Sequence, residues 1–270
     1  MALEKITLGQ YYPADSVVHR LDPRIKIILL IALIVAIFLA QNLLAFVPVI
    51  AFLVAATKLS RVPVKMMLKG LKPLRFILIL TFVLNLFFLQ GETPLLNLGF
   101  AVIKKESLIT AIHYSLRLVL LVLASSLLTL TTPPITLTDG LERLLSPLRA
   151  IHFPAHEMAM MMSIALRFIP TLLEEADKIM KAQSARGSDF ETGRLLERVK
   201  AMVPLLVPLF VSAFRRAGDL AMAMEARCYH GGEGRTRLHV LKMQKNDWIA
   251  IGVTAALIVL VILEGKVFSV

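Results

Sequence analysis

Cysteine occurs once in this sequence, at position 228. A lone thiol excludes an intrachain disulfide and a thiolate metal cluster, and with them the small secreted disulfide scaffold. Charge is sparse as well: 18% of the residues are charged, against 57% hydrophobic. Mean hydropathy is +0.74. A soluble domain of this size has to wet its whole surface, so these values exclude a soluble enzyme and a disordered chain. No signal peptide is expected. The first apolar run begins at Ile25, behind a polar stretch holding Asp15, Asp22 and two arginines, and Ala40 leads through Gln41-Asn42 into another apolar run instead of a cleavage site.

Catalytic and metal-binding patterns are missing too. His156-Glu157-Met158-Ala159-Met160 begins like a zinc-protease helix, but Met160 stands where the second histidine is required. His152 and His156 lie four apart, yet Pro154 interrupts the helix that would align them. Gly231-Gly232-Glu233-Gly234 lacks the lysine and the Ser/Thr of a phosphate-binding loop, and no G-x-S-x-G occurs. No catalytic residue, no metal site and no cofactor bound by this chain are therefore expected.

What is present is apolar length. Five stretches read as membrane spans: Ile25–Ala40, Leu43–Thr57, Phe76–Leu89, Leu108–Leu130 and Trp248–Leu263. Asp22-Pro23 reads as an N-cap with proline at the first helical position, and Trp248 suits an interfacial belt. The net charge of +11 is unevenly placed. Residues 58–75 form a basic loop with Lys58, Arg61, Lys65, Lys69, Lys72 and Arg75 and no acid, whereas the Gln41-Asn42 turn is uncharged and residues 90–107 are balanced. The positive-inside rule then puts the N-terminus in the cytoplasm and the C-terminus outside, in a multi-pass plasma-membrane protein. Topology accounts for the cation excess, so nucleic acid is not expected as a partner.

This divides the chain into an N-terminal membrane domain with four spans (1–132), a cytoplasmic helical module (133–246) and a C-terminal span (247–270). The module reads as an amphipathic helix at Leu137–Leu148 and two long helices, Pro154 to about Arg186 and Glu191 to about Arg227, the second with a capping-box pattern at 188–191. Straight, the first long helix measures about 50 Å. Pro204 and Pro208 are expected to kink the second. The fold class is an all-α integral membrane protein: about five transmembrane helices plus long cytoplasmic helices.

The two long helices end alike. One closes Ala182-Gln183-Ser184-Ala185-Arg186-Gly187, the other Ala223-Met224-Glu225-Ala226-Arg227-Cys228, with the arginines 41 positions apart. Arginine near a helix C-terminus with glycine beyond is an ordinary cap. Two matched tips point further, to a pair of docking pegs, since small flanking residues let a helix end enter a groove while the guanidinium makes several hydrogen bonds. Methionines 158, 161, 162, 202, 222 and 224 lie along the same arms, where an adaptable side chain suits more than one partner. Inside the fourth span, His113 and Arg117 share a face one turn apart; an internal strut bonded to carbonyls, Asn85 or Gln90 is expected there, because no span contains an acid to complete an ion path.

Arg167-Phe168-Ile169-Pro170, Ala182 to Gly187, His19 to Lys26 and Leu127 to Thr132 together resemble the transmembrane T-component of energy-coupling factor (ECF) transporters, over roughly residues 9 to 264. The resemblance implies a non-catalytic subunit that holds two ABC-type ATPases on coupling helices and an exchangeable S-component in the lipid bilayer, with ATP and Mg2+ on the ATPases. It maps the docking motifs onto Ala185-Arg186-Gly187 and Ala226-Arg227-Cys228. Cysteine replaces the commoner glycine in the second, which is expected to leave docking intact but alters the local backbone requirement. The group whose T-component is shared among several S-components is favoured over a dedicated cobalt or biotin system. The rivals are a polytopic enzyme acting on lipid, which needs an acid or histidine cluster, and a conventional ABC permease with its own substrate path.

Overall fold

The computed structural model describes residues 11–88, 93–97, 102–151, 153–188, 195–231 and 241–267. In chain order the helices are α1 (Val17–Arg20), α2 (Pro23–Leu39), α3 (Phe46–Ser60), α4 (Val64–Lys69), α5 (Arg75–Phe88), α6 (Lys105–Thr131), α7 (Pro134–Leu145), α8 (Ala155–Ala185), α9 (Leu195–Ala226) and α10 (Lys245–Val267). The all-α class holds. A two-stranded antiparallel hairpin, β1 (Pro94–Asn97) and β2 (Val102–Lys104), sits before α6 and is an addition to the sequence reading.

Each expected span is a helix, but their lengths differ in kind. Among the described residues, α6, α10 and the run Val64–Phe87 are long and apolar enough to cross a membrane, whereas α3 is shorter. Val64–Phe87 corrects the reading of residues 58–75 as loop. Proline at position 63 caps α4, a 3-10 turn at Lys72–Leu74 starts with Pro73 near its head, and α5 follows directly. Lysine and methionine are good helix formers, and lysine stems keep the charged heads in water while their methylenes lie on apolar surface. The basic run is thus partly helical, with α4 and the 3-10 turn leading its charged residues up to the apolar α5.

Two compact units make up the chain: residues 9–141 with 240–270, and residues 142–239. In the first, α2, α3, α6 and α10 share a core of Leu33, Ile37, Phe46, Val49, Leu53, Leu120, Ala124, Leu257 and Val261. The opposite faces of these helices, and half of the residues of α5, expose large apolar side chains, as a bilayer solvent requires.

Polar bonds tie the helix ends of this unit. Asp22 caps α2 as its spacing predicts, Oδ1 accepting the Arg24 N–H at 2.9 Å. Buried Asp247, at the head of α10, accepts the Asp22 N–H at 2.9 Å and the Gln244 N–H at 2.7 Å. Lys26 is buried, and its ammonium donates to the His19 carbonyl (3.0 Å), the Thr131 carbonyl (3.0 Å) and Thr132 Oγ1 (3.2 Å), clamping α2 to the end of α6. All three of its protons are used, so a buried cation without a carboxylate is still satisfied.

In the second unit, α8 and α9 match the two long helices of the sequence reading. The capping-box residues 189–191 lie outside the described residues. The helix expected at Leu137–Leu148 begins earlier, at Pro134, and turns into a 3-10 segment at Ser146–Ile151. The prolines do not interrupt their helices: α8 continues through Pro170, and α9 through Pro204 and Pro208. Pro204 and Pro208 are one turn apart, so the disturbed peptides share one face and the other carries the helix on.

Candidate functional site: two matched helix tips

The chemistry of the tips starts from the free carbonyls of any helix end. At α8, Arg186 is the C-cap, Gly187 follows with φ +93°, and the chain closes through Gly187 N–H to the Ser184 carbonyl (3.0 Å) and Ser188 N–H to the Gln183 carbonyl (3.0 Å). At α9, Arg227 follows Ala226, Cys228 has φ +56°, and the closing bonds are Cys228 N–H to the Glu225 carbonyl (2.8 Å) and Tyr229 N–H to the Met224 carbonyl (3.0 Å). Position for position these are the same two bonds of a left-handed cap. The backbone therefore repeats together with the residues. Cys228 adopts the left-handed conformation that glycine would occupy freely, so the cysteine changes the local cost and not the local shape.

Ala185, Arg186, Gly187, Ala226, Arg227 and Cys228 are all exposed. Neither guanidinium has a hydrogen bond or ion pair among the described residues. Each is presented on a helix end where the cap occupies two of the last carbonyls, and both planar forks stand exposed to an outside acceptor.

The two helices meet at an ion pair that the sequence reading missed. Arg216 Nη2 donates to Glu175 Oε2 at 2.7 Å. The Ser212 hydroxyl beside it holds the Glu175 carboxyl below its ordinary range, and Arg216 adds to that effect. Glu175 and Arg216 are 41 positions apart, the same offset as the arginine tips. An antiparallel hairpin zipped along its length would set Glu175 opposite about residue 205. Pairing it with Arg216 instead shifts the contact by about eleven residues, and each arginine tip lies eleven residues, about 16 Å of helix, beyond its partner in the pair. The signal was readable: sliding the sequence by 41 places Glu174-Glu175 over Arg215-Arg216.

The arms carry an apolar face. Met158, Met161, Met162, Met202 and Met222 are exposed, and Met224 is half-buried within the α9 cap region. Val203, Val207, Phe210, Val211 and Phe214 extend this surface along α9, Phe214 being 75% exposed. The arms thus combine exposed apolar side chains with exposed charged tips.

His113 and Arg117 form a separate, internal site. Arg117 Nη2 donates to the Ala40 carbonyl in the α2–α3 turn at 2.9 Å and to His113 Nε2 at 3.0 Å. A guanidinium only donates, so Nε2 is the acceptor. The Phe38 and Tyr114 rings flank the cation at 5.5 and 5.6 Å. The strut reading thus finds its carbonyl. Asn85 is not the partner, since its amide donates to the Thr81 carbonyl at 2.8 Å; Gln90 lies outside the described residues.

The two histidines of the Pro154 region are only partly described. His156 Nδ1 donates to Glu142 Oε1 at 3.0 Å, His152 lies outside the described residues, and no cluster of three or more His, Cys, Asp or Glu ligands occurs among the described residues.

Comparison with known proteins places this geometry in context. The family model described as "cobalt transport protein" matches residues 14–238. A protein of Thermosediminibacter oceani named "energy-coupling factor transporter transmembrane protein EcfT" is 52% identical over 95% of this chain and 97% of its own length. Proteins of the same name from Clostridium kluyveri (51% identical, covering 92% of each chain) and Lactococcus lactis (44%, covering 98% of this chain and all of its own) are similar over nearly the whole length.

Proposed function

Because this chain belongs to the family of energy-coupling factor transmembrane components, the T-components, we propose that it docks two ABC-type ATPases on the arginine tips of α8 and α9 and passes their motion to an S-component in the bilayer. The observation that carries the reading is the duplicated tip: two exposed guanidiniums with identical caps, each eleven residues beyond one ion pair between the arms. Arms joined at that ion pair can pass a change in the spacing of their tips to the rest of their length. The apolar methionine-bearing face on those arms is the surface an exchangeable membrane partner grips. Hydrolysis of ATP belongs to the partner ATPases, and this chain supplies the scaffold and the lever. The N-terminus is cytoplasmic and the C-terminus outside, as the cation bias of residues 58–75 requires.

The shared-module group is favoured, since the similar proteins carry the energy-coupling factor name over nearly their entire lengths. The alternative, a dedicated cobalt-type system, has the family model's description in its favour. The S-components that assemble with the purified chain distinguish them: several different ones for a shared module, one for a dedicated system.

The docking assignment is tested with Arg186→Glu and Arg227→Glu, singly and together, in the complete transporter. Each single change is expected to weaken ATPase retention by about 2–5 kcal/mol, because a buried acceptor in the partner groove loses its cation and meets a like charge. The double variant is expected to abolish uptake in vesicles. Normal uptake together with normal ATPase retention in the double variant rejects the assignment.

A further inference from the structure

Between α2, α3, α6 and α10 the first unit encloses a side-opening cavity of about 340 Å³. It lies at one end of the bundle, against the first turns of α2 and α10 and the last turns of α3 and α6. Its wall is aliphatic and aromatic, with Leu30, Phe52, Ala56, Leu127 and Val253 among the lining residues. Apart from the exposed Asn246 at the rim, the polar side chains that line it are already engaged. Lys26 spends its protons on His19, Thr131 and Thr132, while Thr131 and Thr254 bond back to the Leu127 and Ala250 carbonyls. A polar ligand would find almost nothing to bond, so the occupant is apolar.

Position narrows the occupant. The cavity opens on the lipid-exposed side of the bundle between helices that are themselves apolar on the outside, so the apolar occupant nearest to hand is a lipid acyl chain.

Charge at the mouth supplies the other half. Lys58 precedes the lining residue Leu59, and Lys245 precedes the lining residue Asn246; both lysines are exposed and have no ion pair among the described residues. The acids of this end are taken: Asp22 by Arg24, Asp15 by Arg20, and buried Asp247 by two backbone N–H groups. Two exposed lysines without an ion pair among the described residues thus directly precede residues that line the apolar slot. We propose that the cavity holds an acyl chain of an anionic phospholipid, whose phosphate is held by Lys58 and Lys245. In the orientation given above this is a lipid of the cytoplasmic leaflet. Occupancy does not depend on the docking role of the helix tips, and the two assignments fail separately.

Trp248, the single tryptophan, sits two residues from Asn246 and provides the probe. The whole protein, delipidated in detergent, is titrated with phosphatidylglycerol and then with phosphatidylcholine, each carrying brominated acyl chains. Saturable quenching of Trp248 is expected with phosphatidylglycerol at lower concentration than with phosphatidylcholine. Replacing Lys58→Gln and Lys245→Gln, both exposed and outside the core, is expected to reduce that preference about five-fold per lysine. Ala56→Phe, which fills the slot, is expected to abolish the saturable phase and to remove the phospholipid that native mass spectrometry finds on the wild-type chain. Equal quenching by the two headgroups overturns the proposal, as does an unchanged preference in the double lysine variant. Undiminished lipid on a folded Ala56→Phe chain does the same.

Discussion

At the scale of single residues, the sharpest contrast is between Gly187 and Cys228, which hold the same left-handed position at the two tips. For an L side chain that conformation costs about 1–2 kcal/mol. Cys228→Gly is expected to stabilise the α9 tip by about 1 kcal/mol, and Gly187→Ala to destabilise the α8 tip by a similar amount. Hydrogen exchange of the last turn of each helix reads both. His19 makes a second residue-scale prediction. Its Nε2–H donates to the Tyr12 carbonyl at 3.0 Å, so Nδ1 is the unprotonated nitrogen that accepts the Ser16 hydroxyl at 2.7 Å. Burial pushes the imidazole below its ordinary pKa, with the nearby Lys26 charge acting in the same direction and the Tyr12 bond opposing it. The folded state thus prefers neutral His19. Its contribution is complete above the unfolded value, about 6.5, and is lost as the pH falls from there through the lower folded value. Amide exchange across residues 12–20 is expected to accelerate on acidification from pH ~7.5 to ~5.5 beyond the intrinsic change, and the His19→Gln chain is expected to lack that acceleration.

At the scale of elements, α8 and α9 act together because one polar contact crosses between them. Glu175 is held below the usual carboxylate range by Ser212 and Arg216. A depressed carboxyl stabilises fully above its unfolded pKa of about 4.3 and loses that effect only as the pH falls through the folded value, so the contact is insensitive to pH near neutrality. Charge reversal is the useful probe. Glu175→Arg or Arg216→Glu alone sets like charges against each other and is expected to loosen the arms, widening the distance distribution between spin labels placed at the tips. The combined swap is expected to restore the narrow distribution; failure of the swap to restore it means the ion pair does not join the arms. A different element shows how close packing replaces polarity. A Cβ on Gly140 of α7 would lie 3.1 Å from Pro23 Cβ and 3.2 Å from the Arg24 backbone nitrogen, so glycine lets α7 approach the head of α2.

At the scale of the molecule, the described surface is unlike that of a protein which works alone. Large apolar side chains are exposed on α5, on the outer faces of α2, α3 and α10, and on α9. The first group meets lipid. The α9 group lies on an arm whose other end is charged, which fits the proposed grip of a membrane partner. If the methionines supply adaptable contacts, replacing Met161, Met162, Met202 and Met222 by leucine in the complete transporter is expected to slow uptake for some S-components more than for others, since leucine preserves apolarity but not adaptability. Equal uptake rates for every S-component would make these side chains plain packing.

Hydropathy and spacing determined the helices, the spans, the N-cap at Asp22 and the echo of Arg186 in Arg227, because each depends on a few consecutive residues and on a local period. The same local logic misread residues 58–75, where charge resembled loop although the backbone was free to stay helical. Tertiary structure decided what lies far apart in sequence. It set Asp22 on Asp247, Lys26 on Thr131, Arg117 on the Ala40 carbonyl and Glu175 on Arg216, and it shaped the cavity from four separated helix ends. Such contacts follow from how packed helices rotate and cross, and a one-dimensional pattern carries that only where, as at the offset of 41 residues, the chain repeats itself.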